Sequence, residues 1–303
     1  MAMTVGNRFY MKRDTWVALA VISPSLIALA VFVYGFLGWT ARVSVSKWRG
    51  SAADYTFVSL DNFAKLFADP RFHIDLRHTL IFTTLFVVGC LLLGLFLAML
   101  LDQNLPGEGF FRSLFLFPMA ISFIVTGVTW RWLLSPAEGA RTTGLNLLFD
   151  KIGLDFLANR WHTTPRWGIA AVAIPAIWQM AGFTMALYLA GLRSVPDSLR
   201  EAARVDGATE SQLYRRVILP LMRPVTLSAI VILGHISLKV FDLIISMVGK
   251  QVALDVPAIY MYQTTFDGFF YGRGAAIAIL ILLGVALLVI PYLRYTLRQE
   301  AEL

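Results

Sequence analysis

Charge and cysteine are scarce in this sequence. Asp, Glu, Lys and Arg make up 15% of its 303 residues, whereas soluble domains carry about 25%. The one cysteine, Cys90, lies in an apolar run, which excludes a disulfide framework and a thiolate metal site. The formal net charge is +7. Because the basic residues are scattered between apolar stretches, this charge indicates membrane topology rather than nucleic-acid binding.

Enzyme motifs are also missing. The sequence has no G-x-x-x-x-G-K-[ST] loop to hold a nucleotide phosphate, no H-E-x-x-H pair and no G-x-S-x-G elbow. We therefore expect a protein that is not itself an enzyme, with no catalytic residues and no metal or other cofactor. A transporter that cannot bind ATP must use an ion gradient or draw energy from a partner.

Long apolar stretches dominate what is present. Hydrophobic residues make up 58% of the chain, and the mean hydropathy is +0.69. Five uncharged stretches are long enough to cross a hydrocarbon core of roughly 30 Å. A sixth is interrupted by His235, Lys239 and Asp242. The six predicted spans are 15–41, 78–101, 113–130, 167–192, 224–249 and 274–293. We therefore predict a single all-α membrane domain over 1–303, with six transmembrane helices and both termini on one side.

A charged segment, 194–220, separates the fourth and fifth spans. Ser194 and Pro196 start a helix, which Gly207 would end by taking a left-handed conformation. Thr209 and Gln212 have the spacing of a capping box, which starts a second helix. The pattern predicts a helix, a glycine turn and a second helix that lie outside the lipid.

This segment resembles the signature of permease subunits of binding-protein-dependent ABC importers. The signature is E-A-A, three residues, G, nine residues and I-x-L-P. Here it reads Glu201-Ala202-Ala203, Gly207 and Val217-Ile218-Leu219-Pro220, with valine in place of isoleucine. Further stretches are similar to the maltose-permease-like branch, which imports sugars: Asp61-Asn62-Phe63, Lys239 to Ile244 and Gly274 to Ile277. Where many relatives have T-x-G-G-P, this chain has Met247 to Gln251.

The resemblance implies how the protein works. Its E-A-A loop would face the cytoplasm and dock on a dimer of ATP-hydrolysing subunits, while a second homologous permease completes the path. A secreted or periplasmic sugar-binding protein would deliver the sugar. The expected location is a prokaryotic cytoplasmic (inner) membrane, with both termini cytoplasmic. The likeness to glucose or mannose permeases favours a monosaccharide substrate, while oligosaccharides, polyols and glycerol phosphates remain alternative substrates. The coupling residues would be Glu201, Ala202, Ala203, Arg204, Asp206, Gly207, Leu219 and Pro220.

The coupling residues have a physical rationale. Ala202 and Ala203 are small enough for a close backbone approach, and Gly207 would fix the angle between the two helices. Glu201 and Arg204 carry charges that could pair across the interface. The alternative is a solvated loop that contacts no partner.

A second hypothesis is an ion-coupled secondary transporter. In it, Lys239 and Asp242, with His235, would form the proton or ion site, because charges inside a span are often functional. The two residues are spaced i, i+3, so they would also lie on one helix face and could simply neutralise each other. The E-A-A segment discriminates, since a secondary transporter has no use for it.

The substrate path is predicted from polar residues at mid-membrane. Trp178 and Gln179 lie at the midpoint of the fourth span, a depth at which transporter sites are found. An indole face and an amide suit a sugar ring, with Phe183, Lys239 and Asp242 as neighbours. In the alternative, Trp178 packs between helices and Gln179 bonds a backbone carbonyl. Adjacent residues point about 100° apart on a helix, so both cannot face the path squarely.

Overall fold

The computed structural model describes residues 7–103, 106–164 and 167–301. Within these ranges the regular secondary structure is helical, and one isolated β-bridge pairs Ser46 with Phe57. Residues 1–6 and 302–303 of the predicted domain lie outside the described residues, and so does the expectation that both termini are cytoplasmic.

The first predicted span, 15–41, lies within one long helical rod. α1 (Asn7–Leu29) continues through a π-helical turn (Ala30–Gly35) into α2 (Phe36–Ser44). In the most apolar stretch between Trp16 and Ser44, no residue is buried within the chain. This apolar surface must therefore be covered by lipid or by another subunit.

The second span is preceded by a short helix. α3 (Asp61–Phe67) is followed by α4 (Pro70–Leu101), which contains the predicted span 78–101. The side chain of Asp69 caps α4 by accepting a hydrogen bond from the Arg71 N–H at 2.9 Å. An N-cap aspartate followed by proline is a favourable helix start.

The third predicted span, 113–130, is wrong as a straight helix. Its residues belong to α5 (Glu108–Leu116), a 3-10 turn (Phe117–Ala120) and α6 (Phe123–Leu133). The two halves meet at 97°. Pro118 lies in the turn, and the Ser122 hydroxyl caps α6 by accepting from the Val125 N–H at 3.3 Å. A proline followed by a capping residue ends one helix and starts another, which the hydrophobicity pattern alone does not reveal.

The fourth predicted span, 167–192, forms the centre of the bundle. After the loop that holds α7 (Gly144–Lys151), it folds as α8 (Gly168–Ser194). Of its most apolar stretch, 67% is buried, the largest share of the four long helices. α8 packs along α4. Gly182 permits close contact with α5, because a Cβ there would lie 2.0 Å from the Phe115 carbonyl oxygen.

The chain then forms a series of short helices. They are α9 (Asp197–Val205), α10 (Glu210–Leu213), a π-helical turn (Tyr214–Ile218), α11 (Leu219–Leu221), α12 (Arg223–Leu238) and α13 (Asp242–Val248). The predicted span 224–249 is therefore wrong as one helix. The stretch that is apolar and long enough to cross is Glu210–Leu221 with Arg223–Leu238, bent by 62°.

The break between α12 and α13 has an electrostatic explanation. Lys239 follows the negative carbonyl end of α12, and Asp242 begins the positive N–H end of α13. Each charge is of the sign that its helix end favours. The polar residues that interrupt the predicted span thus stabilise two helix ends.

The chain ends in a last long helix. α14 (Pro257–Tyr262) and a π-helical turn (Gln263–Asp267) precede α15 (Tyr271–Ala301). α15 contains the predicted span 274–293 and packs against α2. In the described ranges, four helices are long and apolar enough to cross a membrane, or up to six if each bent pair counts as one span. The all-α class and the six-span reading are confirmed at that level.

Two buried clusters lie along α4 and α8. One, with Phe82, Phe86 and Ile244, joins both helices to α13. The other joins Leu101 and Leu192, at the ends of α4 and α8, to Leu213 in α10. The charged 194–220 segment therefore shares a core with the ends of the two central helices.

Candidate coupling segment and substrate path

The predicted glycine turn is present in the 194–220 segment. Gly207 has φ +79°, a left-handed conformation that glycine adopts without strain. The Gly207 N–H donates to the Arg204 carbonyl, and the Ala208 N–H donates to the Ala203 carbonyl, both at 3.0 Å. These two bonds form a Schellman ending of α9. The direction in which the chain leaves α9 is therefore set at Gly207.

The start of the second helix also follows the prediction. The Thr209 N–H donates to the Gln212 side-chain oxygen at 2.9 Å, and the Gln212 N–H donates to the Thr209 hydroxyl at 3.3 Å. After the π-helical turn, Leu219 is half-buried and Pro220 is exposed at the start of α11.

One side of α9 faces away from the rest of the chain. Glu201, Ala202 and Asp206 are exposed, and Val205 is 86% exposed. Ala203 is half-buried against the cluster at the ends of α4 and α8. The exposed side thus combines small apolar side chains with carboxylates.

Arg204 differs from the expectation. Its Nε lies 2.9 Å from Oε1 of Glu210, so it pairs within the segment. The hydrogen bond to Glu210 and the charge of that carboxylate raise the pKa of Arg204 above its ordinary value. Both side chains are exposed. Arg204 thus links α9 to α10 across the turn, and its predicted pairing with a partner, like that of Glu201, stays a prediction.

A clamp that the sequence analysis missed ties α9 to the central helices. Arg200 Nη1 lies 2.9 Å from Oδ2 of Asp102, directly after α4. Its Nη2 donates to the Leu192 carbonyl near the end of α8, at 2.8 Å. The Tyr214 hydroxyl donates to the same Asp102 oxygen at 3.1 Å. We call Arg200, Asp102, Leu192 and Tyr214 the α9 clamp.

The electrostatics of the clamp favour the ion pair. The Asp102 side chain is 6% exposed and that of Arg200 is 15% exposed. Burial alone would lower the pKa of Arg200, but the hydrogen bond and charge of Asp102 raise it above its ordinary value. Asp102 is the first charge after a predicted span, which marks a helix end, but no spacing in the sequence links it to Arg200.

A second ion pair supports the same end of the molecule. Arg193 Nη2, in the last turn of α8, lies 2.7 Å from Oε1 of Glu108 at the start of α5. The last turns of α8 are therefore held on one side by α5 and on the other by the α9 clamp.

Gln179 has a structural partner. Its side chain is 3% exposed, and Nε2 donates to the Ile121 carbonyl at 2.5 Å, in the bend between α5 and α6. A backbone carbonyl freed by a helix break needs a donor when it is buried. The Oε1 atom of Gln179 has no partner among the described residues. This is the arrangement that we gave above as the alternative to a substrate contact.

Trp178 and Phe183, both on α8, pack against apolar side chains. The Trp178 ring packs against Trp130, with 5.8 Å between ring centroids, and is 40% exposed. Phe183 is half-buried against the first core cluster. Neither is among the residues that line the cavity holding Lys239 and Asp242. The place of these two residues in the substrate path, beside Lys239 and Asp242, stays a prediction.

Lys239 and Asp242 do share a cavity. They lie on either side of the α12–α13 break rather than on one helix face, so the i, i+3 argument does not hold. In the described residues, no ion pair joins them. The cavity has a volume of about 270 Å³, and its walls include the rings of Phe82, Phe86, Phe123 and Phe241. Aromatic faces with a cation and a carboxylate can stack on and hydrogen-bond to a polar ring.

A larger cavity adjoins the first. It measures about 440 Å³ and also includes Lys239 and Phe241, together with His235 and residues of α14 and α15. Lys239 and Phe241, at the break after α12, therefore border two cavities, one between the central helices and one beside α15.

The family match decides the class of protein. Residues 90–299 match the model of the family described as binding-protein-dependent transport system inner membrane component. The chain belongs to this family. The matched range contains the 194–220 segment, the α12–α13 break and most of the predicted spans.

Relatives of this transport-component family match along nearly the whole chain. A probable ABC transporter permease of Pyrococcus horikoshii is 43% identical, over 91% of this chain and 94% of the relative. The xylose/arabinose import permease of Haloferax volcanii is 32% identical, over 96% of this chain and 92% of the relative. The trehalose/maltose transport permease of Thermococcus litoralis is 28% identical, over 93% of this chain and 94% of the relative.

A solved structure of the same type supports the fold. A chain of a bacterial ABC transporter that imports the acidic polysaccharide alginate matches with a TM-score of 0.76 and 25% identity. The match covers 95% of this chain and 99% of that chain.

The family match also decides between the two hypotheses of the sequence analysis. Because the chain belongs to a binding-protein-dependent transport family, the hypothesis of an ion-coupled secondary transporter is set aside. Lys239 and Asp242 are retained as lining of the cavity, not as an ion site.

Proposed function

We propose that this chain is the permease subunit of an ATP-driven sugar importer. It lines the path with a second homologous permease, and its 194–220 segment docks on a dimer of ATP-hydrolysing subunits. A secreted or periplasmic binding protein supplies the sugar. The protein lies in a prokaryotic cytoplasmic (inner) membrane with that segment and both termini in the cytoplasm. The printed names of the xylose/arabinose and trehalose/maltose relatives support a sugar.

The α9 clamp is the observation that carries the coupling role. A force on the exposed side of α9 passes through Arg200 to the ends of α4 and α8, because one guanidinium bonds both. Those two helices bear the cavity wall at Phe82, Phe86 and Ala176. A solvated loop without a partner would need neither a buried ion pair nor a shared core.

The first test changes the turn without removing any contact. Gly207→Val places a β-branched residue at φ +79°, where an added Cβ meets nothing within 4 Å. The strain is about 1–2 kcal/mol, and its relief alters the direction of α9. We expect uptake per ATP hydrolysed to fall in proteoliposomes that contain the assembled transporter.

The matched control is Gly153→Val. Gly153 has φ +74° and equally open surroundings, but it lies in the loop after α7. It should leave the coupling ratio unchanged while straining the backbone to the same degree. Equal coupling in Gly207→Val and wild type would overturn the coupling role. A fall in both variants would show that strain alone, wherever it lies, impairs the protein.

A second test addresses the predicted docking charge. Glu201→Lys reverses an exposed charge on the outward side of α9 and should weaken docking of the ATP-hydrolysing subunits. Co-purification of those subunits at low and high salt measures the effect. Unchanged recovery at low salt would remove Glu201 from the interface.

The sugar and its path need separate experiments. A binding screen of sugars on the cognate binding protein tests the substrate class, including the monosaccharide expectation. Asp242→Asn, which keeps the size of the side chain, should raise the half-saturating sugar concentration for uptake while binding-protein-stimulated ATPase persists. Trp178→Ala, outside the cavity, is the comparison. If Trp178→Ala impairs uptake and Asp242→Asn does not, the path lies along α8 instead.

A further inference from the structure

Trp48 lies between two cavities at the end of the molecule opposite the coupling segment. α4 ends next to Asp102, which contacts α9, so its first residue, Pro70, lies at the other end. α3 and the start of α15 pack there. Trp48 borders both a polar cavity and an apolar groove at this end.

The polar cavity is basic. It measures about 260 Å³, and Lys47, Arg49, Lys65 and Arg273 all line it. Its one acid, Asp61, pairs with Lys65 at 2.5 Å. In the part of the chain that the structure describes, no carboxylate lies within ion-pair distance of the other three cations. The cavity therefore carries uncompensated positive charge.

Two of the four cations, Arg49 and Arg273, pack near one aromatic ring. The Arg49 guanidinium carbon lies 4.3 Å from the centre of the Phe270 ring, and that of Arg273 lies 5.5 Å from it. The Gly272 N–H donates to the Trp48 carbonyl at 3.0 Å. A Cβ at Gly272 would lie 2.4 Å from the Ser46 carbonyl oxygen. The loop is thus fixed closely against the start of α15.

The apolar groove runs between two membrane helices. It measures about 310 Å³ and lies between Trp39 and Val43 of α2 and the small residues Gly274, Ala275 and Ala278 of α15. The small side chains make the space, because larger ones would fill it. Both helices belong to candidate spans, so the groove opens at membrane depth, and Trp48 and Tyr271 stand at its polar end.

We propose that the two cavities together bind one anionic phospholipid, with its phosphate in the basic cavity and an acyl chain in the groove. Clusters of Lys and Arg at a membrane surface attract anionic lipid headgroups, and Trp and Tyr rings lie at headgroup level. A soluble anion would leave the apolar groove unfilled, and a neutral lipid would leave the cations without a counter-charge. An acidic protein surface would reach the cations without filling the groove.

Lipid binding to the purified, assembled transporter tests the proposal without any uptake measurement. Native mass spectrometry at increasing lipid concentration compares phosphatidylglycerol with phosphatidylcholine of the same chain length. Each basic residue near an anionic lipid surface contributes about 1 kcal/mol, or about fivefold in affinity. We expect preference for phosphatidylglycerol, and a loss of roughly 25-fold in Arg49→Gln/Arg273→Gln. Arg141→Gln/Lys151→Gln, which removes exposed cations elsewhere in the described loops, should have no effect.

Two further arms identify the occupant. Ala275→Leu fills the groove and should weaken phosphatidylglycerol binding while leaving the cations in place. Glycerol phosphate, which has no chains, should bind far more weakly than the lipid. The proposal is overturned if glycerol phosphate binds as tightly as the lipid, or if both lipids bind equally. It is also overturned if Arg49→Gln/Arg273→Gln weakens binding-protein stimulation in vesicles of phosphatidylcholine alone, because the cations would then contact a protein.

Discussion

Replacing Arg200 with alanine should loosen α9 from the ends of α4 and α8. The substitution removes the ion pair to Asp102 and the hydrogen bond to the Leu192 carbonyl. Asp102 then keeps the Tyr214 hydroxyl as a partner, in a site where its side chain is 6% exposed. Removing one partner of a fully buried pair costs about 3–5 kcal/mol. Because Arg200 retains some contact with water, we expect Arg200→Ala to destabilise the attachment of α9 by about 2 kcal/mol.

A loss of that size should be visible at individual amides. About 2 kcal/mol corresponds to roughly a 30-fold change in the equilibrium between the attached and the detached segment. Hydrogen exchange through local opening would accelerate by the same factor in α9. In proteoliposomes, uptake per ATP hydrolysed should fall, because a detached α9 transmits less motion to α4 and α8.

The comparison variant is Arg160→Ala. Arg160 also forms an ion pair, with Glu138 at 3.0 Å, but both side chains are about 70% exposed and lie in the loop around α7. Such a pair contributes little. Asp102→Ala with Arg200→Ala completes a double-mutant cycle, in which the two losses should not add. Additive losses, or unchanged exchange in α9 of Arg200→Ala, would refute the clamp.

Other substitutions and conditions probe the rest of the fold. Gln179→Ala leaves a buried carbonyl without its donor, at about 1–3 kcal/mol, and should lower the yield of folded protein in size-exclusion chromatography, whereas Trp178→Ala should not. Gly182→Ala puts a Cβ 2.0 Å from a backbone oxygen of α5 and should lower thermal stability by about 1–3 kcal/mol; Gly109→Ala, which meets nothing within 4 Å, should be neutral. Burial lowers the pKa of His162 below its ordinary value of 6.5, so its loop is stable at neutral pH and loosens as the pH falls below that value. Exchange of that loop should quicken on acidification, and His162→Gln should abolish the dependence.

Sequence patterns located most of the long helices and the helix-turn-helix of the 194–220 segment. Apolar length located four of the candidate spans as long helices, and Thr209 with Gln212 marked the start of a helix to the residue, because capping depends on local spacing. The turn at Gly207 was predictable for the same reason, because a left-handed residue at a helix end is a local feature that favours glycine.

Long-range contacts were beyond the sequence. The bend after Pro118 depends on a carbonyl that Gln179 satisfies from another helix, and the pairing of Arg200 with Asp102 spans 98 residues. The sequence spacing around Gln179 and Arg200 does not indicate which residue each of them contacts. Lys239 and Asp242 were recognised as exceptional, but the pattern assumed one helix where two helix ends meet.

The exposure of residues 16–35 in the first span determines how much their sequence can change. Between Trp16 and Gly35 its side chains touch almost nothing of their own chain, so membrane insertion and the folding of the other helices are separate events there. A uniform leucine helix of equal length in place of residues 16–35 would leave both core clusters intact. For this segment the fold requires hydrophobic length and leaves the order of the side chains undetermined.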